Sequence, residues 1–138
     1  MDMNCTAFRQ ALDRYHITVG EACATACNII TRIHEYVDDF YGRLTTSDIP
    51  SPNVMRLHFL GNTIHISAEV ILSEPPIMGK LQFRLEQPDG DKPILLNTSY
   101  DFDTLGNING TLGESECTHE LMQSLFAELK NMKCVVRQ

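Results

Sequence analysis

The stretch that most constrains this chain is a run of alternating apolar and polar residues over positions 54–72, interrupted by Gly61-Asn62. Two alternating runs around a two-residue loop predict a β-hairpin, and Gly before Asn suits a type II′ turn. A slip of one residue would turn the apolar side chains of one strand toward solvent, so the register is strongly specified. The expected apolar pairs are Phe59–Ile64, Leu57–Ile66 and Met55–Ala68, and the expected polar-face pairs are His58–His65, Arg56–Ser67 and Val54–Glu69.

A second hairpin is predicted from alternating runs over residues 80–87 and 93–102, joined by a turn at residues 88–91. Residues 73–76 (Ser-Glu-Pro-Pro) end the preceding strand, residues 45–53 with two prolines are interpreted as a linker, and a short polar edge strand is expected over residues 107–112. These short connections favour an antiparallel meander. The expected pairs of the second hairpin are Leu85–Ile94, Phe83–Leu96 and Leu81–Thr98.

Helical spacing of apolar residues indicates three helices. The first covers residues 4–15 and ends at His16-Ile17. Thr18 with Glu21 three residues later forms a capping box, which begins a second helix over residues 19–44. Ser115 caps the third, whose apolar stripe is Leu121, Met122, Leu125, Leu129 and Met132, widened by Phe126. The second helix carries a heptad seam of Val19, Cys23, Ala26, Ile30, Ile33, Val37, Phe40 and Leu44.

This seam has two interpretations. It can cover the hairpin and the first helix of the same chain, or part of it can pair with a second copy of the protein to form a homodimer. In either case the pattern predicts a single α+β domain over residues 1–138. We expect an antiparallel four- to five-stranded meander sheet, packed on one face by two N-terminal helices and one C-terminal helix.

Composition narrows the class of protein further. No apolar run approaches the roughly 20 residues that span a bilayer, and the N-terminus resembles no signal peptide, so a cytoplasmic protein is expected. Five cysteines without framework spacing fit reduced thiols. The net charge of −7 argues against nucleic acid as a ligand. Between residues 93 and 129 there are carboxylates and no lysine or arginine: Asp101, Asp103, Glu114, Glu116, Glu120 and Glu128.

Candidate chemistry is sparse. Directly opposed His58 and His65 could both reach one metal ion, but two ligands do not make a zinc site. Cys23 and Cys27 share one helical face, yet their spacing differs from a C-x-x-C redox pair, and small buried side chains are the better interpretation. No phosphate loop, nucleotide fingerprint or nucleophile elbow is present, so neither a cofactor nor a catalytic residue is assigned.

Two function hypotheses follow. The first is a small acidic, non-enzymatic interaction module that binds a basic protein partner, in the manner of an inhibitor, an immunity-type protein or a chaperone-like accessory protein. The second is a ligand-binding or enzymatic pocket between the long helix and a curved sheet, lined by Met55, Phe59, Phe83, Tyr100 and Met122. The expected partner-binding residues of the first are Asp101, Asp103, Glu114, Glu116, Glu120, Arg56, His58, His65 and Glu69.

Overall fold

The computed structural model describes residues 2–71, 78–110 and 112–136. The expected stop at residues 73–76 lies outside these ranges. Within these ranges the structure has one long helix, then five strands, then a shorter helix. The elements are α1 (Asp2–Tyr41), β1 (Thr45–Ser51), β2 (Val54–Phe59), β3 (Asn62–Ile71), β4 (Met78–Leu85), β5 (Ile94–Phe102) and α2 (Glu114–Asn131).

The five strands form one antiparallel sheet whose spatial order is the same as the chain order, β1-β2-β3-β4-β5. The α+β class and the antiparallel meander are therefore confirmed. The alternating apolar residues of the strands face the helices, where they form a single core. This core includes Met55, Leu57, Ile64, Ile66, Leu81, Phe83, Tyr100 and Phe102 from the strands, Ile29, Ile30, Ile33 and Val37 from α1, and Leu121, Met122, Leu125 and Leu129 from α2.

The prediction of two N-terminal helices is wrong, because α1 runs unbroken for 40 residues. Nothing at the expected break forces the helix to end, since no proline lies in this range and the hydroxyl of Thr18 donates a hydrogen bond back to the carbonyl of Arg14 (3.1 Å). A threonine that bonds four residues back sits within a helix and does not cap it. The long helix also ends at Tyr41, before the predicted Leu44.

The seam of α1 is only partly buried. Ala26, Ile30, Ile33 and Val37 are in the core as expected for a helix that covers the sheet of its own chain, whereas Cys23, Phe40 and Leu44 are exposed. The prediction of Cys23 as a buried side chain is therefore wrong. The neighbouring small and branched residues Ala22 and Ile29 take the buried positions instead.

The first hairpin keeps its predicted faces but not its predicted register. Its turn is Leu60-Gly61, with positive φ angles of 53° and 78°, and Phe59 faces Asn62. Two consecutive positive φ angles are the type I′ geometry, which matches strand twist as type II′ does. The pairing is therefore shifted by two residues, and a shift of two leaves every side chain on its own face. The observed pairs include Leu57–Ile64, Met55–Ile66, His58–Thr63 and Arg56–His65.

The fifth strand is at the other edge of the sheet from the one predicted. Residues 45–51, interpreted as a linker, form β1, which pairs with β2 from Thr45–Phe59 to Ser51–Val54. Pro50 is tolerated there because an edge strand has one side without ladder bonds. In the expected edge strand 107–112, the structure has only the isolated bridges of Ile108 with Phe102 and with Leu112 among the described residues.

The second hairpin is confirmed at its turn and irregular beyond it. Leu85 faces Ile94 as predicted, but Leu81 faces Tyr100 and not Thr98. The shift arises between the pairs Arg84–Leu95 and Gln82–Ser99, where residues 96–98 of β5 lie opposite Phe83 alone. This bulge leaves backbone amides of β5 without partners in β4, and another element must satisfy them.

The C-terminal helix α2 begins at Glu114, with Gly113 as its N-cap, so Ser115 is not the cap. Its predicted stripe of Leu121, Met122, Leu125 and Leu129 is buried, while Phe126 and Met132 are exposed. The two helices are also joined by a polar contact, since Tyr41 Oη lies 2.7 Å from His119 Nδ1. The two helices thus contact each other as well as the sheet.

Candidate functional site

The sheet face opposite the helices carries a row of charged side chains that crosses four strands. In register, Asp48 of β1 faces Arg56 of β2, which faces His65 of β3, which faces Arg84 of β4. Arg56 Nε donates to Asp48 Oδ1 (3.1 Å), and its Nη2 donates to Asp48 Oδ2. This hydrogen bond lowers the pKa of Asp48 and raises that of Arg56. The row lies on what we call the open sheet face.

The expected His58–His65 pair is wrong. His58 faces Thr63, with its Nδ1 3.2 Å from Thr63 Oγ1, and its Nε2 lies 3.7 Å from Asp48 Oδ1. His65 Nε2 lies 3.2 Å from Glu86 Oε2. Each imidazole therefore has a carboxylate neighbour of its own. Within the described part of the chain, no three histidine, cysteine or carboxylate side chains are placed to hold one metal ion.

Two further predicted residues, Glu69 and Asp101, belong to the same open sheet face. Glu69 faces Lys80, which faces Asp101 of β5. Glu69 Oε1 lies 3.7 Å from Arg84 Nη1 and accepts a hydrogen bond from Ser67 Oγ (3.3 Å). Arg56, His58, His65 and Glu69 thus lie together as predicted, but carboxylates and cations are interleaved among them. Such interleaved pairs largely neutralise one another and are worth little individually at an exposed face.

Two carboxylates of the acidic region are used to hold the chain together. Glu128 satisfies the bulge of β5: its Oε1 accepts from the amide of Asn97 (2.6 Å), and its Oε2 accepts from the amide (3.1 Å) and hydroxyl (2.5 Å) of Thr98. Asp103 Oδ1 accepts from the amides of Leu105 and Asn107, both at 2.9 Å. The burial of Asp103 alone would raise its pKa, but the hydrogen bonds from this turn outweigh burial and lower it.

The first two turns of α2 carry the remaining predicted carboxylates, Glu114, Glu116 and Glu120, which we call the α2 carboxylates. Glu116 and Glu120 are exposed and four residues apart, so they are neighbours on one helical face. Among the described residues none of the three forms an ion pair, in contrast to the open sheet face. Their charge is therefore not neutralised by a cationic neighbour in the described part of the chain. Glu114 and Glu116 lie in the first turn, where a negative charge interacts favourably with the helix dipole.

The buried side of these turns is strongly apolar. Cys117 is fully buried, and burial together with the charges of Glu120 and Glu114 raises the pKa of its thiol to about 12. Burial also raises the pKa of Tyr100 to about 12, with Cys117 and Glu120 adding to the effect. Both groups are neutral at ordinary pH. A thiol with a raised pKa is a poor nucleophile, so this cysteine is suited to packing and not to catalysis.

The side chains expected to line a pocket are part of the filled core. Met55 and Phe83 are fully buried, and Phe59, Tyr100 and Met122 are less than one-tenth exposed. The rings of Phe83 and Tyr100 pack edge to face with their centroids 6.0 Å apart. All five belong to the one cluster of buried residues that packs between the sheet and the helices.

An exposed surface that the predictions did not include is the beginning of α1, residues 5–19, which we call the N-terminal arm. Phe8 is 64% and Leu12 49% exposed, whereas burial in the core begins at Ala22. The signal was present in the sequence, because Phe8, Leu12 and Tyr15 have helical spacing. The predicted helix break at residue 16 placed these three residues in a different helix from the heptad seam, although in the structure they belong to the same helix.

None of the described helices is both long enough and apolar enough to cross a membrane. The described cysteines are all unpaired thiols, with Cys5 and Cys23 exposed and Cys117 buried. In comparisons with known proteins, no family model, no curated protein and no solved structure matches this chain.

Proposed function

We propose that this protein is a small non-enzymatic interaction module that binds a basic surface of a partner protein through the α2 carboxylates. The observation that carries the proposal is the contrast between two charged surfaces. On the open sheet face, Asp48, Glu69 and Glu86 each lie within 4 Å of a cationic or imidazole side chain. On α2, Glu116 and Glu120 have no such neighbour among the described residues.

The charge of the whole chain acts in the same direction. With a net charge of −7, the protein attracts basic partners over distances up to about a Debye length, roughly 8 Å at physiological salt. Such attraction mainly raises the association rate. Asp101 and Asp103 contribute less to this surface than the sequence suggests, since Asp101 lies on the open sheet face and Asp103 is engaged by its own turn.

The alternative of a ligand-binding or enzymatic pocket has less support. Its five lining residues are all buried members of the core cluster. The buried thiol and phenol near α2 both have raised pKa values, which suits neutral packing groups.

The experiment is an affinity capture from lysate of the native host, with the purified protein immobilised and bound proteins quantified at low and high salt. We expect a basic protein to be retained at low salt and released at high salt. The double charge reversal Glu116→Lys with Glu120→Lys should abolish retention. The matched control is Asp89→Lys with Asp91→Lys, which changes the net charge equally in the exposed turn between β4 and β5, at the other end of the sheet.

Comparing the two double variants distinguishes the effect of the α2 carboxylates on retention from the effect of the net charge of the protein. Retention that is unaffected by salt, or that both double variants lose equally, would contradict the proposal. Far-ultraviolet circular dichroism of each variant checks that the fold is intact, which we expect because all four side chains are exposed.

A further inference from the structure

The two edges of the sheet differ in whether their outward backbone groups have hydrogen-bond partners. At the β5 edge, the amides of the bulge donate to Glu128. Further along β5, the amide of Asp101 donates to Asn109 Oδ1 (2.9 Å), and its carbonyl accepts from the amide of Asn109 (2.7 Å). The amide of Asp103 donates to the carbonyl of Asn107 (3.1 Å). These contacts leave little room for a further strand to pair with β5.

The pairing of the first hairpin determines which backbone groups of β1 point away from the sheet. Around the two-residue loop, the closing pair Phe59–Asn62 exchanges its hydrogen bonds between β2 and β3. The next residue, His58, therefore directs its N–H and C=O toward Thr46 of β1. Since these directions alternate along a strand, the residues on either side of Thr46 direct their N–H and C=O away from the sheet.

The outward residues of β1 are thus Thr45 and Ser47, and their backbone groups are unpaired. Among the described residues, no group outside β2 forms a hydrogen bond with the N–H or C=O of either one. The row ends at the irregular pairing between Asp48 and Ser51, where Pro50 has no N–H to donate. Such a row of donors and acceptors is satisfied by the backbone of another extended segment.

A second copy of this edge is complementary to the first. In an antiparallel pair with the two-fold axis at Ser47, the facing residues are Ser47 with Ser47, Thr45 with Ile49 and Thr46 with Asp48. This arrangement forms about six backbone hydrogen bonds. The hydroxyl of Thr46 faces the carboxylate of Asp48 of the second copy, so no like charges are opposite each other along the paired strands.

We propose that β1 is the interface of a homodimer, in which the β1 edges of two copies pair antiparallel about a two-fold axis at Ser47. The result is one continuous sheet with five strands from each copy. Because the β5 edge is already occupied, association stops at two copies and does not continue into a fibre. An extended segment of another protein is a poorer occupant, because it would need side chains that match Thr46 and Asp48, which a second copy supplies by symmetry.

This interface is separate from the α2 carboxylates and does not depend on the function proposed for them. In the described structure, α2 contacts β5 and α1 but not β1. The pairing joins only a few residues of each copy, so we expect a dissociation constant of about micromolar or weaker. Raising the salt concentration should strengthen the dimer, because salt screens the repulsion between two chains of net charge −7. Capture through the α2 carboxylates has the opposite salt dependence.

Amide hydrogen exchange followed by NMR tests the backbone pairing in the unaltered protein. The amides of Thr45 and Ser47 should exchange at least about fivefold more slowly in a concentrated sample, where the dimer is populated, than in a dilute one. The amides of Thr46 and Asp48 are bonded to β2 and should exchange equally slowly in both samples. Exchange at Thr45 and Ser47 that does not change with concentration would overturn the proposal.

A pair of variants at the axis tests whether the backbone is responsible, with sedimentation equilibrium as the measurement. Ser47→Pro removes the outward N–H and should weaken association at least about tenfold, since each dimer loses the donors at its axis. Ser47→Ala is the matched control: it also removes the contact of Ser47 Oγ with His34 Nδ1, but it keeps the N–H. It should dimerise like the natural sequence.

A second pair of variants tests the register through side chains alone, and it decides the matter if circular dichroism shows that Ser47→Pro perturbs the fold. Thr46 is exposed. Thr46→Asp places a carboxylate opposite Asp48 of the second copy and should weaken association, whereas Thr46→Lys should not. Gln123→Asp, at an exposed position of α2, changes the net charge equally and should leave association unaltered.

Several outcomes would each overturn the proposal. These are a monomer at every concentration, an equal effect of Ser47→Pro and Ser47→Ala in folded variants, or an equal effect of Thr46→Asp and Gln123→Asp. A monomer that captures another protein from lysate, with capture lost in Ser47→Pro and kept in Ser47→Ala, would make a segment of that protein the occupant. None of these results bears on capture that Glu116→Lys with Glu120→Lys abolishes.

Discussion

Replacing Glu128 with alanine removes the carboxylate that satisfies the bulge of β5. Three donors lose their acceptor: the amide of Asn97 and the amide and hydroxyl of Thr98. A hydrogen bond to a charged group contributes about 1.5–3 kcal/mol. Asn97 is exposed, so water replaces its partner at little cost, whereas Thr98 is half-buried and retains most of the loss. We therefore expect the free energy of unfolding to fall by about 2–4 kcal/mol.

Urea denaturation followed by circular dichroism measures this change directly, and the slope of the transition should be unaltered because the fold is retained. At about 4 °C per kcal/mol, the melting temperature should fall by roughly 8–16 °C. The control is Glu120→Ala, which removes an exposed carboxylate from the same helix and should change stability by less than about 0.5 kcal/mol. If the two variants were equally stable, the bulge would not depend on Glu128 and the reasoning would be wrong.

Three further predictions concern the core. Alanine at Gly79 would place its Cβ 2.0 Å from the ring of Phe102, which is 1% exposed and cannot move aside, so Gly79→Ala should cost at least about 3 kcal/mol in urea denaturation and Phe102→Leu should recover part of it. The pKa of Cys117 is raised from 9.0 to about 12 in the folded state, so between these values only the unfolded state releases the proton. Stability should therefore fall above pH 9 by up to about 1.4 kcal/mol per pH unit, and Cys117→Ala should flatten that fall; Tyr100, raised from 10.0, adds to it above pH 10. A thiol reagent at neutral pH should label the exposed Cys5 at once and should label Cys117 only when the protein unfolds. Rapid labelling of Cys117 in the folded protein would contradict the burial of this side chain.

Side-chain alternation predicted which face of the sheet is buried but not which residues are opposite one another. The period of a strand is two, so a register shifted by two residues leaves the same residues on each face. The register was decided by the turn, where Leu60 adopts a positive φ. Leucine is an unfavourable residue for that conformation, so turn preferences favoured Gly61-Asn62 and gave the wrong loop.

Where the local sequence pattern is weak, contacts with distant parts of the chain determine the secondary structure. The polar, proline-containing residues of β1 become a strand because the exposed edge of β2 pairs with them. Contact with α1 holds the same strand in place, since His34 Nδ1 lies 2.7 Å from Ser47 Oγ. Neither interaction can be inferred from the residues of this segment alone, and for this reason the sequence of residues 45–53 predicts a linker.

The sequence predicts which charged residues are candidates for binding, but it does not predict which of them form hydrogen bonds or ion pairs within the protein. The sequence displays the carboxylates between residues 93 and 129, and it cannot tell which of them are already engaged. Glu120 and Glu128 are the same residue type on the same helix, and the sequence does not distinguish them. In the structure Glu128 accepts hydrogen bonds from the bulge of β5, whereas Glu120 is exposed to solvent. The bulge itself follows from the packing of β5 against β4, which is decided far from α2 in the chain.

Because spatial and chain order coincide in this sheet, each strand finds its neighbour in the segment made just before it. Contacts between neighbouring segments close short loops and favour rapid folding. During synthesis, β1 to β4 can assemble under α1 while the rest of the chain is still within the ribosome. The irregular part of β5 is different, because its acceptor on α2 is made about thirty residues later. Formation of α2 therefore completes the outer edge of the sheet.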